Sequence, residues 1–87
     1  MYDIELLEAA EEQLAQIDKP MGRRLVKRLN WLAANFDDIR PEPLSGTLAG
    51  LYKFRVGDYR VVYEVISAAR VIIVHHIRHR REIYRKR

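Results

Sequence analysis

The sequence contains no cysteine, no signal-like N-terminus and no apolar run approaching the length of a membrane-spanning helix. Without cysteine, the chain can form neither a disulfide framework nor a thiolate site. The first residues lack the basic segment and apolar run of a signal peptide. We therefore expect a cytoplasmic protein without a membrane partner, since no segment is long enough to span a bilayer.

The chain has 87 residues, of which 48% are hydrophobic, a share ordinary for a folded globular protein. This length leaves room for one domain only, so we predict a single domain spanning residues 1–87. A chain of this size buries roughly 60–65% of its unfolded surface, which limits the core to a modest volume.

Acidic residues are scarce in the second half of the chain. Residues 1–52 carry 6 Lys+Arg against 9 Asp+Glu, a balance of −3, whereas residues 53–87 carry 10 against 3, a balance of +7. Such asymmetry indicates a polyanionic partner, either a nucleic acid or an acidic protein. Alternatively, the basic residues form a solvent-exposed surface that binds no partner. We favour a partner because alternating strands would collect the excess charge on one side of a sheet.

The residue pattern predicts the element order β-α-α-β-β-β. Strands are predicted at 2–6, 51–56, 59–66 and 70–78, a first helix at 7–17, and a second helix beginning near Pro20. In the second helix, Leu25, Leu29, Leu32 and Phe36 form an apolar stripe. Turn residues fill the connector at 35–50. The predicted fold class is α+β, with a helical hairpin packed on one face of a small antiparallel sheet.

Two alternating runs meet at Gly57-Asp58, which is typical of a two-residue hairpin turn. Counting outward from the turn predicts the pairs Val56–Tyr59, Arg55–Arg60, Phe54–Val61 and Tyr52–Tyr63. One face of the hairpin is then apolar and aromatic, and the other carries Lys53, Arg55 and Arg60. Like charges directly opposite each other destabilise a sheet. We infer that an anion normally lies between them, and we expect an RNA phosphate.

The register of the last strand decides which residues join this basic face. A two-residue turn after the second hairpin strand would bring His75 and His79 there. A three-residue turn would bring His76, Arg78 and, if the strand extends far enough, Arg80. We favour the second arrangement because it adds cations to the cluster and leaves Val71, Ile73 and Ile77 for the core.

Two stretches of the sequence together resemble toxins of the RelE/ParE superfamily, and specifically its RelE-like branch. Residues 51–65, LYKFRVGDYRVVYEV, are similar to the central hairpin of the superfamily, and residues 79–84, HRREIY, are similar to a C-terminal motif of the RelE branch. The resemblance implies a RelE-like fold and a toxin of a type II toxin–antitoxin system. It further implies a metal-independent endoribonuclease that cleaves messenger RNA, in many members on the ribosome, and so inhibits translation and growth.

The resemblance also implies which residues act. The catalytic residues would be Lys53, Arg55, Arg60, Arg80 and Tyr84, with Arg55 standing where the family often has lysine. Further RNA contacts are expected from His76, Arg78, His79, Arg81 and Arg85. No metal or cofactor is implied. The implied partners are an acidic antitoxin, messenger RNA with the ribosome, and operator DNA through the toxin–antitoxin complex only.

The chemistry follows from residue types alone. RNA can be cut without a metal when the ribose 2′-hydroxyl attacks the adjacent phosphate, which gives a 2′,3′-cyclic phosphate and a 5′-hydroxyl. Arginines suit the stabilisation of the phosphorane because they are always charged and bind oxygens in pairs. Since arginine does not readily release a proton, the general base must be another group. Lys53, Tyr84, His76 and His79 all remain candidates.

Two other functions remain open. A ParE-like toxin would poison DNA gyrase without cutting RNA, and a non-catalytic nucleic-acid-binding module would need only the basic sheet. Neither requires a phosphate-clamping cluster, and the basic face of the hairpin has no aromatic residue on which bases could stack. Trp31, on the second helix, is expected to be partly buried.

Overall fold

The computed structural model describes residues 1–81, which form two helices and a five-stranded sheet. The strands are β1 (Asp3–Leu6), β2 (Glu42–Pro43), β3 (Tyr52–Val56), β4 (Tyr59–Ile66) and β5 (Val71–His79); the helices are α1 (Glu8–Ala15) and α2 (Lys19–Asn35). The predicted fold class is confirmed. The connector, predicted as turns only, contains the additional short strand β2 and two 3-10 turns, Phe36–Asp38 and Gly46–Leu48.

The sheet has the strand order β1-β5-β4-β3-β2. Strands β3, β4 and β5 pair antiparallel as predicted, and the additional strand β2 pairs antiparallel with β3. Strand β1, in contrast to the prediction, lies parallel to β5, with Asp3 opposite Val71 and Leu6 opposite Val74. The sheet is therefore mixed. A parallel neighbour needs a long connection, and the helical hairpin with the central strands between β1 and β5 supplies one.

Local sequence explains where α2 starts and which side it buries. The Asp18 carboxylate accepts a hydrogen bond from the Met21 backbone N–H at 3.1 Å, and Pro20 occupies the first turn. Residues spaced by 3 and 4 then face the sheet and are fully or almost fully buried: Leu25, Leu29, Leu32 and Ala33. They pack against inward side chains of the sheet: Val56, Val61, Tyr63, Ile72, Val74 and Ile77. Within residues 1–81, neither helix combines the length and apolarity needed to cross a bilayer.

A β-bulge in β5 determines which side chains reach each face of the sheet. Arg60 is opposite Arg78 and Val62 is opposite His76, but the next residue, Tyr63, is opposite Val74, so His75 is an extra residue. The predicted pairing of Arg60 with the His76–Arg78 side of β5 is thus confirmed.

The reason given for that pairing was wrong. The loop between the paired residues Ile66 and Val71 has four residues, not three, and ends at Arg70 with a left-handed φ of 54°. Because the bulge reverses the alternation, the predicted core set is also wrong in part. Ile77 is buried as expected, but its core companions on β5 are Ile72 and Val74, both 0% exposed.

The end of β5 is held by a side chain of α1. Strand β1 stops at Leu6, opposite Val74, so it does not cover the later residues of β5. There the Gln13 Oε1 atom accepts a hydrogen bond from the Ile77 backbone N–H at 2.7 Å. This contact satisfies a buried donor and fixes the part of β5 that carries Arg78.

Candidate functional site

Three arginines form a row across the middle of the sheet. Arg55 on β3 is opposite Arg60 on β4, and Arg60 is opposite Arg78 on β5. Lys53 lies two residues before Arg55 and therefore shares its face. The hairpin pairs predicted from the sequence are all confirmed. The row places like charges side by side across two strand interfaces, which costs stability unless an anion screens them.

Three of these cations, Lys53, Arg55 and Arg60, share a cavity at the hairpin, whereas Arg78 does not line it. Four predicted catalytic residues, Lys53, Arg55, Arg60 and Arg80, line a cavity of about 240 Å³ together with Gly57, Asp58 and Tyr59. The fifth, Tyr84, lies outside the described residues. The cavity is smaller than the roughly 300–1,000 Å³ of pockets that enclose drug-sized ligands. Its size and charge suit a phosphate group.

Asp58 holds Arg80 in the cavity, a role that the sequence did not reveal. Strand β5 ends at His79, and the Arg80 backbone N–H then donates to the Asp58 carbonyl oxygen at 2.8 Å. The Arg80 guanidinium also lies 3.8 Å from the Asp58 carboxylate, an exposed ion pair of little energetic weight. The backbone bond thus brings a residue beyond the strand onto the hairpin turn.

The predicted RNA-contacting residues separate into two groups. Arg78 belongs to the arginine row, and His76 lies on the same face, opposite Val62. His79 lies on the helix side of the sheet, where its ring meets the Tyr59 ring edge-on at a centroid distance of 5.1 Å. Arg81 is exposed, and its backbone N–H donates to His79 Nδ1 at 3.1 Å. Arg85 lies outside the described residues.

Two adjacent histidines sit at the bulge beside the arginine row. His75 Nε2 lies 2.9 Å from Glu64 Oε1. His76 has a buried Nδ1 atom without a hydrogen-bond partner in the described part of the chain. Desolvation lowers the pKa of His76 below its ordinary value of 6.5, and the neighbouring Arg78 and His75 lower it further. His76 is therefore neutral near pH 7 and does not add a cation to the row.

This histidine gives the domain a pH-dependent stability. Because the folded pKa of His76 is lowered, the unfolded chain takes up the proton more readily. Its contribution to stability is present above about pH 6.5 and is lost as the pH falls through the folded pKa. We expect the free energy of unfolding in urea to decrease between about pH 7.5 and 5.5, and His76→Gln to remove part of that decrease. An identical pH dependence in the variant would contradict this assignment.

The aromatic residues of the hairpin mostly pack the core, as expected. Tyr63 is 1% exposed and stacks on Tyr52 at a centroid distance of 5.7 Å. Burial raises the pKa of Tyr63 to about 12, and Tyr52 and Glu42 add to the shift. Tyr63 is thus a neutral structural residue at physiological pH.

Comparison with known proteins identifies one matching family, and solved structures of similar fold agree with it. Residues 4–84 match the family model described as ParE toxin of type II toxin–antitoxin system, parDE. No curated protein is a significant match to the chain. The matched residues include the central hairpin, the arginine row and the segment that resembles the RelE-branch motif.

Solved structures similar in fold to this chain include RelE toxins. The toxin–antitoxin complex RelBE2 from Mycobacterium tuberculosis matches with a TM-score of 0.80 and 20% identity over 90% of this chain and 96% of that chain. The isolated Escherichia coli RelE toxin matches with a TM-score of 0.74 and 21% identity over 98% of both chains. The archaeal RelE–RelB complex from Pyrococcus horikoshii matches with a TM-score of 0.68 and 26% identity over 91% and 94%. The predicted resemblance to the RelE/ParE superfamily is thereby confirmed.

Proposed function

We propose a ribonuclease activity for this chain, which belongs to the ParE toxin family of type II toxin–antitoxin systems. In this proposal the toxin cleaves messenger RNA without a metal ion and so arrests translation and growth. The observation that supports it most is the shared cavity lined by Lys53, Arg55, Arg60 and Arg80. A cavity with four cationic side chains matches the charge that develops on a phosphate during cleavage.

The reaction divides into three tasks. The ribose 2′-hydroxyl loses its proton and attacks the neighbouring phosphorus, the phosphorane is stabilised, and the bond to the 5′-oxygen breaks as that oxygen takes up a proton. Arg55 and Arg60 face each other across the strands and would bind the non-bridging oxygens. Arg80, held by Asp58, would contact the same group from the end of β5. The products are a 2′,3′-cyclic phosphate and a 5′-hydroxyl.

Proton transfer at the 2′-hydroxyl is assigned to Lys53. Among the candidate bases within residues 1–81, Lys53 lines the cavity, His76 lies beyond Val62 on the same face, and His79 faces the helices. Geometry therefore favours Lys53 over the histidines. Arginine keeps the positive charge but stays protonated. Lys53→Arg should therefore retain RNA binding and lose cleavage, and equal cleavage by the variant would exclude this role.

A decisive experiment is to express the chain from an inducible promoter and to map RNA ends genome-wide. We expect growth arrest and new ends within translated messages, with both absent in Arg60→Gln. Arg23→Gln, on the exposed surface of α2, is the matched control and should behave as the original chain. Purified protein incubated with naked RNA and with translating ribosomes separates ribosome-dependent from independent cleavage. Intact RNA under all of these conditions would overturn the proposal.

One observation favours a second candidate function. The family model that matches the chain is that of ParE toxins. A ParE-like toxin that inhibits DNA gyrase is one of the functions that the sequence allows. In that case, induction should leave RNA intact and produce DNA breaks, and a gyrase supercoiling assay should be inhibited. Those two readouts distinguish the candidates in the same cultures.

An acidic antitoxin is the proposed cellular partner. Solved relatives include complexes of a toxin with its antitoxin. The +7 balance of residues 53–87 suits an acidic segment that folds as it binds and covers the cationic cavity. Calorimetry with the product of the adjacent small reading frame should show binding that weakens in Arg55→Gln. An absence of binding would refute the partner assignment.

A further inference from the structure

A second cavity lies at the edge of the sheet, at the point where β2 ends and β3 becomes the edge strand. Strand β2 pairs only with the first two residues of β3, through Pro43 opposite Tyr52 and Glu42 opposite Lys53. Beyond that point, α2 approaches the edge of β3 and leaves a cavity of about 240 Å³. Its lining includes Arg28, Trp31, Arg40, Lys53, Phe54 and Arg55.

The inner wall of this edge cavity is a stack of planar groups. The Trp31 and Phe54 rings are nearly parallel, at 7°, with centroids 6.4 Å apart. The Arg28 guanidinium lies over both, at 4.6 Å from the Trp31 centroid and 5.4 Å from that of Phe54. Trp31 nevertheless remains 40% exposed. A large aromatic ring with this much exposed surface can stack a further planar ligand.

The edge cavity lies next to the cavity at the hairpin, and β3 lines both. Lys53 and Arg55 line both of them. A chain molecule whose phosphate is bound in the first cavity can therefore extend into the second by passing the edge of one strand. Arg28 and Arg40 add cations there, and Glu42 adds an acceptor. Cations beside stacked aromatic rings are the usual elements of a single-stranded nucleic-acid site.

We propose that the edge cavity binds one unpaired nucleobase of the RNA, next to the phosphate held by Arg55 and Arg60. The inference rests on the proposed ribonuclease function and adds a subsite for the base beside the scissile bond. The base would stack on Trp31, and its phosphate would contact Arg28 or Arg40. Glu42 can accept a hydrogen bond from an N–H group of the base.

Intrinsic fluorescence provides a direct test, because Trp31 is the only tryptophan in the sequence. The probe is a short single-stranded RNA carrying 2′-O-methyl groups, so that no 2′-hydroxyl can attack and the complex stays intact. We expect saturable quenching of Trp31 emission. An oligonucleotide of the same length and charge with an abasic site at the stacking position should bind about 10-fold more weakly, the scale of one base–aromatic stack, and quench less.

Variants separate the edge cavity from general electrostatic attraction. Arg40→Ala should weaken the quenching complex several-fold, whereas Arg23→Ala, on the same protein but away from this cavity, should not. Trp31→Phe keeps a ring, and Trp31→Leu removes it. The Phe variant should retain the preference for base over abasic RNA in a labelled-RNA binding assay, and the Leu variant should lose it. Thermal unfolding of each variant verifies that the fold is retained.

The outcomes distinguish the subsite from the activity. Quenching by base-containing RNA in a protein that cuts no RNA would support the subsite and reject the ribonuclease proposal. Cleavage without quenching, or with unchanged site preference in Trp31→Leu, would overturn the subsite and leave the ribonuclease standing. Quenching only by a protein partner, or equally by base-containing and abasic RNA, would also overturn it.

Discussion

Replacing Arg60 by glutamine will make the domain more stable and nearly inactive. Arg60 lies between Arg55 and Arg78 in the arginine row, so the substitution removes both like-charge contacts at once. In the proposed reaction it also removes the central ligand for the phosphate. Loss of one preorganised donor to a transition state costs about 100- to 1,000-fold in rate. A residue that weakens the fold and is needed for the reaction is the signature of a functional site.

The expected gain in stability is modest but measurable. A cross-strand side-chain pair contributes roughly 0.2–1 kcal/mol, and like charges contribute with an unfavourable sign. Two such contacts with partly exposed side chains, screened by solvent, give a gain of about 1 kcal/mol at most. In a domain of 60–100 residues, 1 kcal/mol raises Tm by about 4–8 °C. Glutamine keeps most of the length of the side chain, so packing changes little.

Salt concentration identifies the origin of this gain. The Debye length is about 10 Å at 0.1 M and about 3 Å at 1 M salt, so the stability difference should shrink as salt is added. Thermal unfolding of both proteins at low and high salt measures it, with Arg23→Gln as the control away from the row. If Arg60→Gln unfolded at a lower temperature than the original protein at low salt, the arginine row would not destabilise the fold. Phosphate or a short RNA should stabilise the original protein more than the variant.

The hairpin could be predicted in full because its information is local. Gly57 and Asp58 fix the turn, and the turn fixes the register of every pair outward to Tyr52 and Tyr63. The basic face and three of its cations followed directly. The start of α2 could be predicted for a similar reason, since Asp18 and Pro20 mark it locally.

The buried residues of β5 were harder to predict because the alternation of buried and exposed side chains changes midway along the strand. Simple alternation favoured Val71, Ile73 and Ile77 as the core set, yet Ile72, Val74 and Ile77 are the buried residues. Their spacing of 2 and then 3 is the mark of a bulge, and it is visible in the sequence. Either a different turn length or a β-bulge can change which residues of β5 face the core. Only tertiary packing decides between these two interpretations.

The remaining features depend on contacts between distant segments. Asp58 meets Arg80 only when the end of β5 reaches the hairpin turn. Trp31 meets Phe54 only when α2 packs across the edge of β3. Neither pairing has a signal in spacing or composition, so the edge cavity and the support of Arg80 could not be predicted from the sequence. Trp31 was expected to be partly buried, but it is one of the exposed large hydrophobic residues, with 40% of its surface accessible.

The second large effect is expected at the turn that joins β3 and β4. Gly57 has a φ of 59°, in the left-handed region that costs other residues roughly 1–2 kcal/mol. For a β-branched residue the strain is at the upper end of this range. Gly57→Val should therefore lower Tm by about 8–16 °C. Because Arg55 and Arg60 flank the turn, a distorted hairpin should also separate them and reduce cleavage.

Space around the glycine is a secondary factor. A Cβ atom at Gly57 would lie 3.3 Å from Arg24 Nη1 and 3.5 Å from Met21 Cε, both at the ends of flexible side chains that can move. Backbone strain should thus decide the outcome, and Gly57→Asn separates the two causes because asparagine tolerates positive φ. We expect the asparagine variant to lose less than half as much Tm as the valine variant and to keep most of its cleavage. Equal losses in the two variants would assign the effect to crowding by α2, and a valine variant as stable as the original would mean that the turn does not need its left-handed residue.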